Sequence, residues 1–183
     1  TGTSGAPELY FSNINKANSF GGELEFRLLL STLSKKENKI LENLTLYSNL
    51  SLIKSTVNMD EVIGSGGNRP LQGQSPYIIN SGIFYSTEKL NISLSYNVIG
   101  PRIYIVGNVQ EPSVWENGRN VIDLQVCKKI KNWELKLNFK DIIAQDLVYF
   151  QDLNGNRKLD SSDNNWQQIN FGQTVTLSAK FNF

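Results

Sequence analysis

The chain has 183 residues, a formal net charge of +1, no histidine and one cysteine. A charge so near zero gives no electrostatic footprint for nucleic acid, and the missing histidine removes the commonest general base and transition-metal ligand. The single Cys127 excludes an intrachain disulfide and reads as a strand filler. Hydrophobic residues make up 39% and charged residues 19%. The remainder is rich in Ser, Thr, Asn and Gln, which suits a sheet with one apolar and one hydrogen-bonding face. No run of about 18 apolar residues offers a transmembrane helix.

Residues 1–18 read as loop. From Gly22 the residues alternate, with Leu24, Phe26, Leu28 and Leu30 on one face and Glu23, Glu25, Arg27 and Ser31 on the other. A short charged turn at residues 34–39 leads to a second strand, Leu44 to Val57. A long polar connection, residues 58–75, precedes the third strand, Tyr77 to Tyr85. After the turn at Ser86–Lys89, the fourth strand sets Leu90, Ile92, Leu94, Tyr96 and Val98 against Asn91, Ser93, Ser95 and Asn97. Its pattern continues past Gly100-Pro101 towards Val106.

A loop at residues 107–118 follows, then a fifth strand carrying Ile122, Leu124, Val126 and Ile130. Lys131-Asn132 turns into the sixth, which sets Trp133, Leu135, Leu137 and Phe139 against Glu134, Lys136, Asn138 and Lys140 and points on towards Phe150. The polar stretch 151–165 leads to the closing strand. There Val175, Leu177, Ala179, Phe181 and Phe183 alternate without exception against Thr174, Thr176, Ser178, Lys180 and Asn182. An ending on Phe resembles the closing strand of an outer-membrane barrel.

Connections alternate short and long along this series, as in an up-and-down transmembrane barrel. Charges keep to one parity; turning Arg27 to lipid at mid-bilayer costs about 2–4 kcal/mol. Lys128 alone departs, near a short turn where its stem can snorkel. The expected fold is all-β: an antiparallel up-and-down transmembrane β-barrel segment of about seven strands. A soluble β-sandwich requires the apolar rows to meet a second layer. An odd strand count that begins outside does not close a bacterial barrel, and an open edge in lipid leaves unpaired backbone groups. The sheet is therefore expected to be the C-terminal part of a larger barrel, completed by other strands or by one near Glu8–Ile14, with its C terminus periplasmic.

The segments Arg69-Pro70-Leu71-Gln72-Gly73-Gln74-Ser75-Pro76-Tyr77-Ile78-Ile79-Asn80 and Tyr96-Asn97-Val98-Ile99-Gly100-Pro101-Arg102-Ile103 resemble the C-terminal barrel of TonB-dependent outer-membrane receptors. The resemblance is to the branch with SusC-like and carboxypeptidase-regulatory-domain-bearing members. Asn18–Glu25, Arg119–Gln125 and Phe183 fit the same pattern. The resemblance implies a barrel of about 22 strands with a plugged lumen, importing a siderophore, glycan or peptide with energy passed on by TonB. It implies as partners the remaining strands and plug domain, TonB, a SusD-like surface lipoprotein, and lipid or lipopolysaccharide. No plug domain is found within residues 1–183. A barrel serving as a scaffold without transport is the competing function.

Within the loop 152–163, Asp152, Asn154, Asn156, Asp160 and Asp163 place oxygen donors at the first, third, fifth, ninth and twelfth positions. That is the spacing with which an EF-hand-like loop wraps Ca²⁺, although Arg157 stands where such loops carry Gly, and Asp163 where they carry Glu. The same residues also serve as turn formers in a solvated loop. No other cofactor is expected. Trp133, Trp166, Phe181 and Phe183 read as membrane-interface aromatics, and Trp115 as loop packing or a stacking surface. Glu23, Glu25, Arg27, Asp123, Lys136 and Lys140 read as an inner wall. Without histidine no Ser/His/Asp or Cys/His constellation exists, and no enzymatic activity is expected.

Overall fold

A computed structural model describes residues 16–34, 37–59 and 67–183. The possible strand near Glu8–Ile14 and most of the expected N-terminal loop lie outside the described residues. Among those described there is no α-helix, only the 3₁₀ turns Leu30–Leu33 and Leu41–Asn43. The strands are β1 (Lys16–Leu29), β2 (Leu44–Asn58), β3 (Tyr77–Ser86), β4 (Leu90–Ile99), β5 (Arg102–Ile105), β6 (Val114–Glu116), β7 (Arg119–Ile130), β8 (Trp133–Lys140), β9 (Leu147–Gln151), β10 (Asn164–Ile169) and β11 (Thr174–Phe181).

Seven of them form one antiparallel sheet in the order β1-β2-β3-β4-β7-β8-β11. These are the seven strands read from the sequence. The strands β3 and β4 are ten residues long, the length with which a tilted strand crosses a bilayer core. Strand β1 begins at Lys16, so residues 16–18 are strand rather than loop.

Two expected extensions fail. The fourth strand stops at Ile99 and the sixth at Lys140. Pro101 has no N–H to offer a ladder, and Asp141 (φ 53°) and Ala144 (φ 51°) bend the chain through the left-handed region. The segments beyond these breaks pair with each other. The strands β5, β6, β9 and β10 form a second antiparallel sheet in the order β10-β9-β6-β5, contributed by the two connections 100–118 and 141–173. It lies at the end of the main sheet that carries the long connections, and we call it the distal sheet.

Register fixes the faces, since directly paired residues share one. Leu24, Leu50, Ile79 and Val98 stand in one row; Leu28, Leu46, Ile83, Leu94, Leu124, Phe139 and Val175 in another of the same face. Glu23, Glu25, Arg27, Asn80, Asn97, Asp123 and Lys136 occupy the opposite face. Among the polar residues on the apolar face, Ser48 and Ser81 hydrogen-bond each other at 2.7 Å, so neither hydroxyl is stranded.

No second layer covers the apolar face among the described residues. Leu24 is 65% exposed and Leu177 74%. The hydrophobic core cluster lies instead in the distal sheet, where Ile103, Trp115 and Phe150 pack together with Val106 against them. A soluble sandwich would have its core on the apolar rows, and among the described residues the core cluster is not there.

Candidate functional site

The polar face of the main sheet is wired by short hydrogen bonds. Ser51 on β2 donates through Oγ to Glu23 Oε1 at 2.6 Å. Asp123 on β7 accepts the backbone N–H of Asp141 at 2.8 Å, and Asp141 in turn pairs with Arg119. Arg27 lies directly across from Tyr47 and Lys136 across from Cys127, while Lys140 lines a depression with Asp123. Gly82 lets this face pack. Tyr47 sits opposite it and stacks on Phe84 at 4.9 Å; a Cβ on Gly82 would stand 2.4 Å from the Tyr47 ring.

At the long-connection end the polar face opens into a cavity of about 510 Å³. Its floor is strand residues Asn80, Asn97 and Val121; its walls are Arg102, Glu116, Arg119, Tyr149 and Phe171. Both arginines are neutralised. Arg102 Nε and Nη2 donate to Glu116 at 3.0 and 2.9 Å, a two-pronged contact. Arg119 pairs with Asp141 and lies over the Phe171 ring, 5.4 Å from its centre. Arg119 Nε and Asp141 Oδ1 are buried without a hydrogen-bond partner among the described residues, leaving polar capacity unused beside the cavity.

Tyr149 belongs to an aromatic cluster on the distal sheet, with Tyr104 at 4.4 Å and Trp166 at 6.3 Å. Burial, and after it the Glu116 charge, raises the Tyr149 phenol above its ordinary pKa, so it stays a protonated donor. The cavity is thus charge-balanced, aromatic and amide-lined. It can hold an organic molecule by stacking and hydrogen bonds.

The residues singled out in the sequence fall in three places. Trp133 and Phe181 are paired across strands with rings 5.0 Å apart, and Phe183 follows at 5.2 Å, all at the short-turn end. Trp166 is not on a main-sheet strand; it lies on β10. Trp115 is buried in the distal core, and Arg157 lies 5.9 Å over its ring.

The loop 152–163 closes on its own amides. Asp152 accepts from the backbone N–H groups of Gly155 and Arg157, and Asp163 from those of Leu153 and Asp160. Asn154 and Asn156 both donate to Asp160. Hydrogen bonds from Ser162, then from Asn154 and Asn156, hold the Asp160 carboxyl far below the usual carboxylate range. Among the described residues no group of three or more acidic, cysteine or histidine side chains is placed to hold a metal ion.

Arg102, Glu116, Arg119, Asp141, Tyr149 and Phe171 were not legible as a set. Arg102, Glu116 and Tyr149 meet only because β6 pairs with β9 across a wide sequence gap.

No family model matches the sequence, and no curated protein matches it. Among solved structures, the chain is similar to the ferric yersiniabactin uptake receptor FyuA from Yersinia pestis, with a TM-score of 0.61 and 17% identity. The match covers 91% of this chain and 24% of that one, so the chain spans about a quarter of the receptor's length. At that identity the likeness speaks to fold alone: the chain shares the all-β, antiparallel architecture of about a quarter of that receptor.

Proposed function

We propose that the chain forms part of the barrel wall of a TonB-dependent outer-membrane transporter that binds and imports a nutrient without transforming it. The observation that carries this reading is the uncovered apolar face on strands of bilayer-spanning length, backed by a polar face that opens into the charge-balanced cavity. In this reading the apolar face meets lipid and the polar face lines the lumen. The distal sheet stands outside the cell, and β11 ends on the periplasmic side. Trp133, Phe181 and Phe183 then belong to the periplasmic aromatic girdle, while Trp166 serves the distal cluster.

The Glu23–Ser51 and Asp123–Asp141 contacts would stiffen a wall that faces a plug domain. The cavity is the entry point for a siderophore, glycan or peptide. FyuA is a ferric yersiniabactin uptake receptor; for this chain the SusC-like branch, with its surface lipoprotein, rests on the Arg69–Asn80 and Tyr96–Ile103 segments.

Site-directed labelling of the intact barrel, with Cys127 replaced by Ser, tests the orientation. Leu24→Cys, Leu94→Cys and Leu177→Cys should react with a lipid-soluble maleimide and resist a charged one, while Glu25→Cys and Asn97→Cys should do the reverse. An inverted pattern sinks the reading. No uptake from an inserted barrel would favour the scaffold function, and uptake that persists after TonB is deleted would refute the dependence on TonB.

A further inference from the structure

The apolar face of the main sheet carries three charged side chains and all are cations: Lys16, Lys54 and Lys128. Every carboxylate of the seven strands lies on the polar face. Lys128 sits near the short-turn end and Lys16 and Lys54 near the long-connection end, where a bilayer presents its headgroups.

Beside Lys54 the structure has a cavity of about 490 Å³ on a different side of the distal sheet from the chamber described above. Trp115, from the face of that sheet opposite Tyr149, forms part of its wall. Tyr77 and Val98, the last apolar-face residues of their strands, line its membrane-side edge. Three cations line it: Lys54, Arg157 and Lys158. The ion pairs among the described residues are Arg102–Glu116 and Arg119–Asp141, so none of the three is neutralised. The loop's own carboxylates, Asp152, Asp160 and Asp163, do not line the cavity.

Arg157 is held in place before any ligand arrives. Its backbone N–H donates to Asp152 Oδ2 at 2.8 Å, its φ of 61° fixes the turn, and its guanidinium lies over Trp115. Three cations without an ion-pair partner, lining one cavity at the top of an apolar wall, suit a ligand with phosphate at one end and acyl chains at the other.

We infer that this cavity binds the phosphorylated headgroup of an outer-leaflet glycolipid, with Lys54, Arg157 and Lys158 on the phosphate and the acyl chains running down the apolar rows past Tyr77 and Val98. The inference rests on the lipid-facing reading of that face. It assigns the loop 152–163 a role as the clamp over a lipid.

The test uses the intact barrel in detergent micelles with diphosphoryl lipid A as the probe, and insertion is checked separately by heat-modifiable mobility. The triple variant Lys54→Gln/Arg157→Gln/Lys158→Gln should bind lipid A more weakly by on the order of 100-fold, about fivefold for each cation at a membrane surface. Lipid A stripped of its phosphates should bind the unaltered protein equally poorly, and Lys128→Gln should leave binding unchanged. Inorganic phosphate at millimolar concentration should not displace the lipid. Equal lipid A binding by the triple variant, or full displacement by inorganic phosphate, overturns the inference while leaving the barrel standing. A protein that stays in buffer without detergent overturns both.

Discussion

Leu94 lies at the centre of the ten-residue β4, the middle strand of the main sheet, between Ile83 and Leu124 on the apolar face. Leu94→Arg puts a guanidinium at mid-bilayer, which costs about 2–4 kcal/mol in a transmembrane barrel. At about 1.4 kcal/mol per tenfold, the folding equilibrium falls roughly 30- to 700-fold. One residue away, Ser93 points to the opposite face, beside Gln125 and a water-accessible depression. Ser93→Arg therefore costs less than about 1 kcal/mol, in the range for surface substitutions. The assay is reversible urea unfolding of the intact barrel in phosphatidylcholine vesicles, followed by tryptophan fluorescence. The difference between the two neighbours matters more than either value, because both carry the same new charge. Equal costs, or a larger cost at Ser93, would refute the assignment of faces.

Three further outcomes test finer points. Ser81→Ala leaves the Ser48 hydroxyl without its 2.7 Å partner and should cost about 1–2 kcal/mol, with Ser48→Ala/Ser81→Ala recovering part of it in a double-mutant cycle; simple additivity would show that the pair is not coupled. Gly82→Val drives a branched side chain into the Tyr47 ring and the Leu94 carbonyl, with an expected loss of about 1–3 kcal/mol in the same urea assay. In the loop 152–163, the depressed Asp160 pKa means that its stabilising contribution is fully present above the ordinary Asp value of about 3.9 and is lost only as pH falls below it. The Ser162 amide resonance should therefore stay constant from pH 7 to about 4. Because this loop already satisfies its carboxylates internally, millimolar Ca²⁺ should leave its hydrogen exchange unchanged, and calcium-dependent protection would support the cation-binding reading.

Period-two alternation made the main sheet legible, since a strand with one wet and one greasy face has no other way to arrange its residues. The same signal misled beyond Gly100 and Lys140. Ile103, Tyr149 and Phe150 continue a strand-like pattern, and alternation carries no label for the sheet a strand joins. What decides is backbone geometry at Pro101, Asp141 and Ala144, together with the non-local pairing of Val114–Glu116 with Tyr149–Gln151. Trp166 falls on β10 rather than on a main-sheet strand for that reason, and the Arg119–Asp141–Asp123 network was hidden for it. Lys54 was readable: it shares parity with Leu52 and Leu50, and the parity count that flagged Lys128 passes over it.

The distal sheet also bears on how this surface can vary. Its hairpins come from two separate connections, and Phe150 of one is buried against Ile103 and Trp115 of the other. Shortening either connection alone would strip a strand from its neighbour and bare that core to water. Any change to this surface that keeps that core would therefore have to alter both connections together. The tip at residues 153–155 is under no such constraint, because its side chains are not part of that core. An epitope tag inserted there should be displayed, while the same tag in residues 114–116 should not.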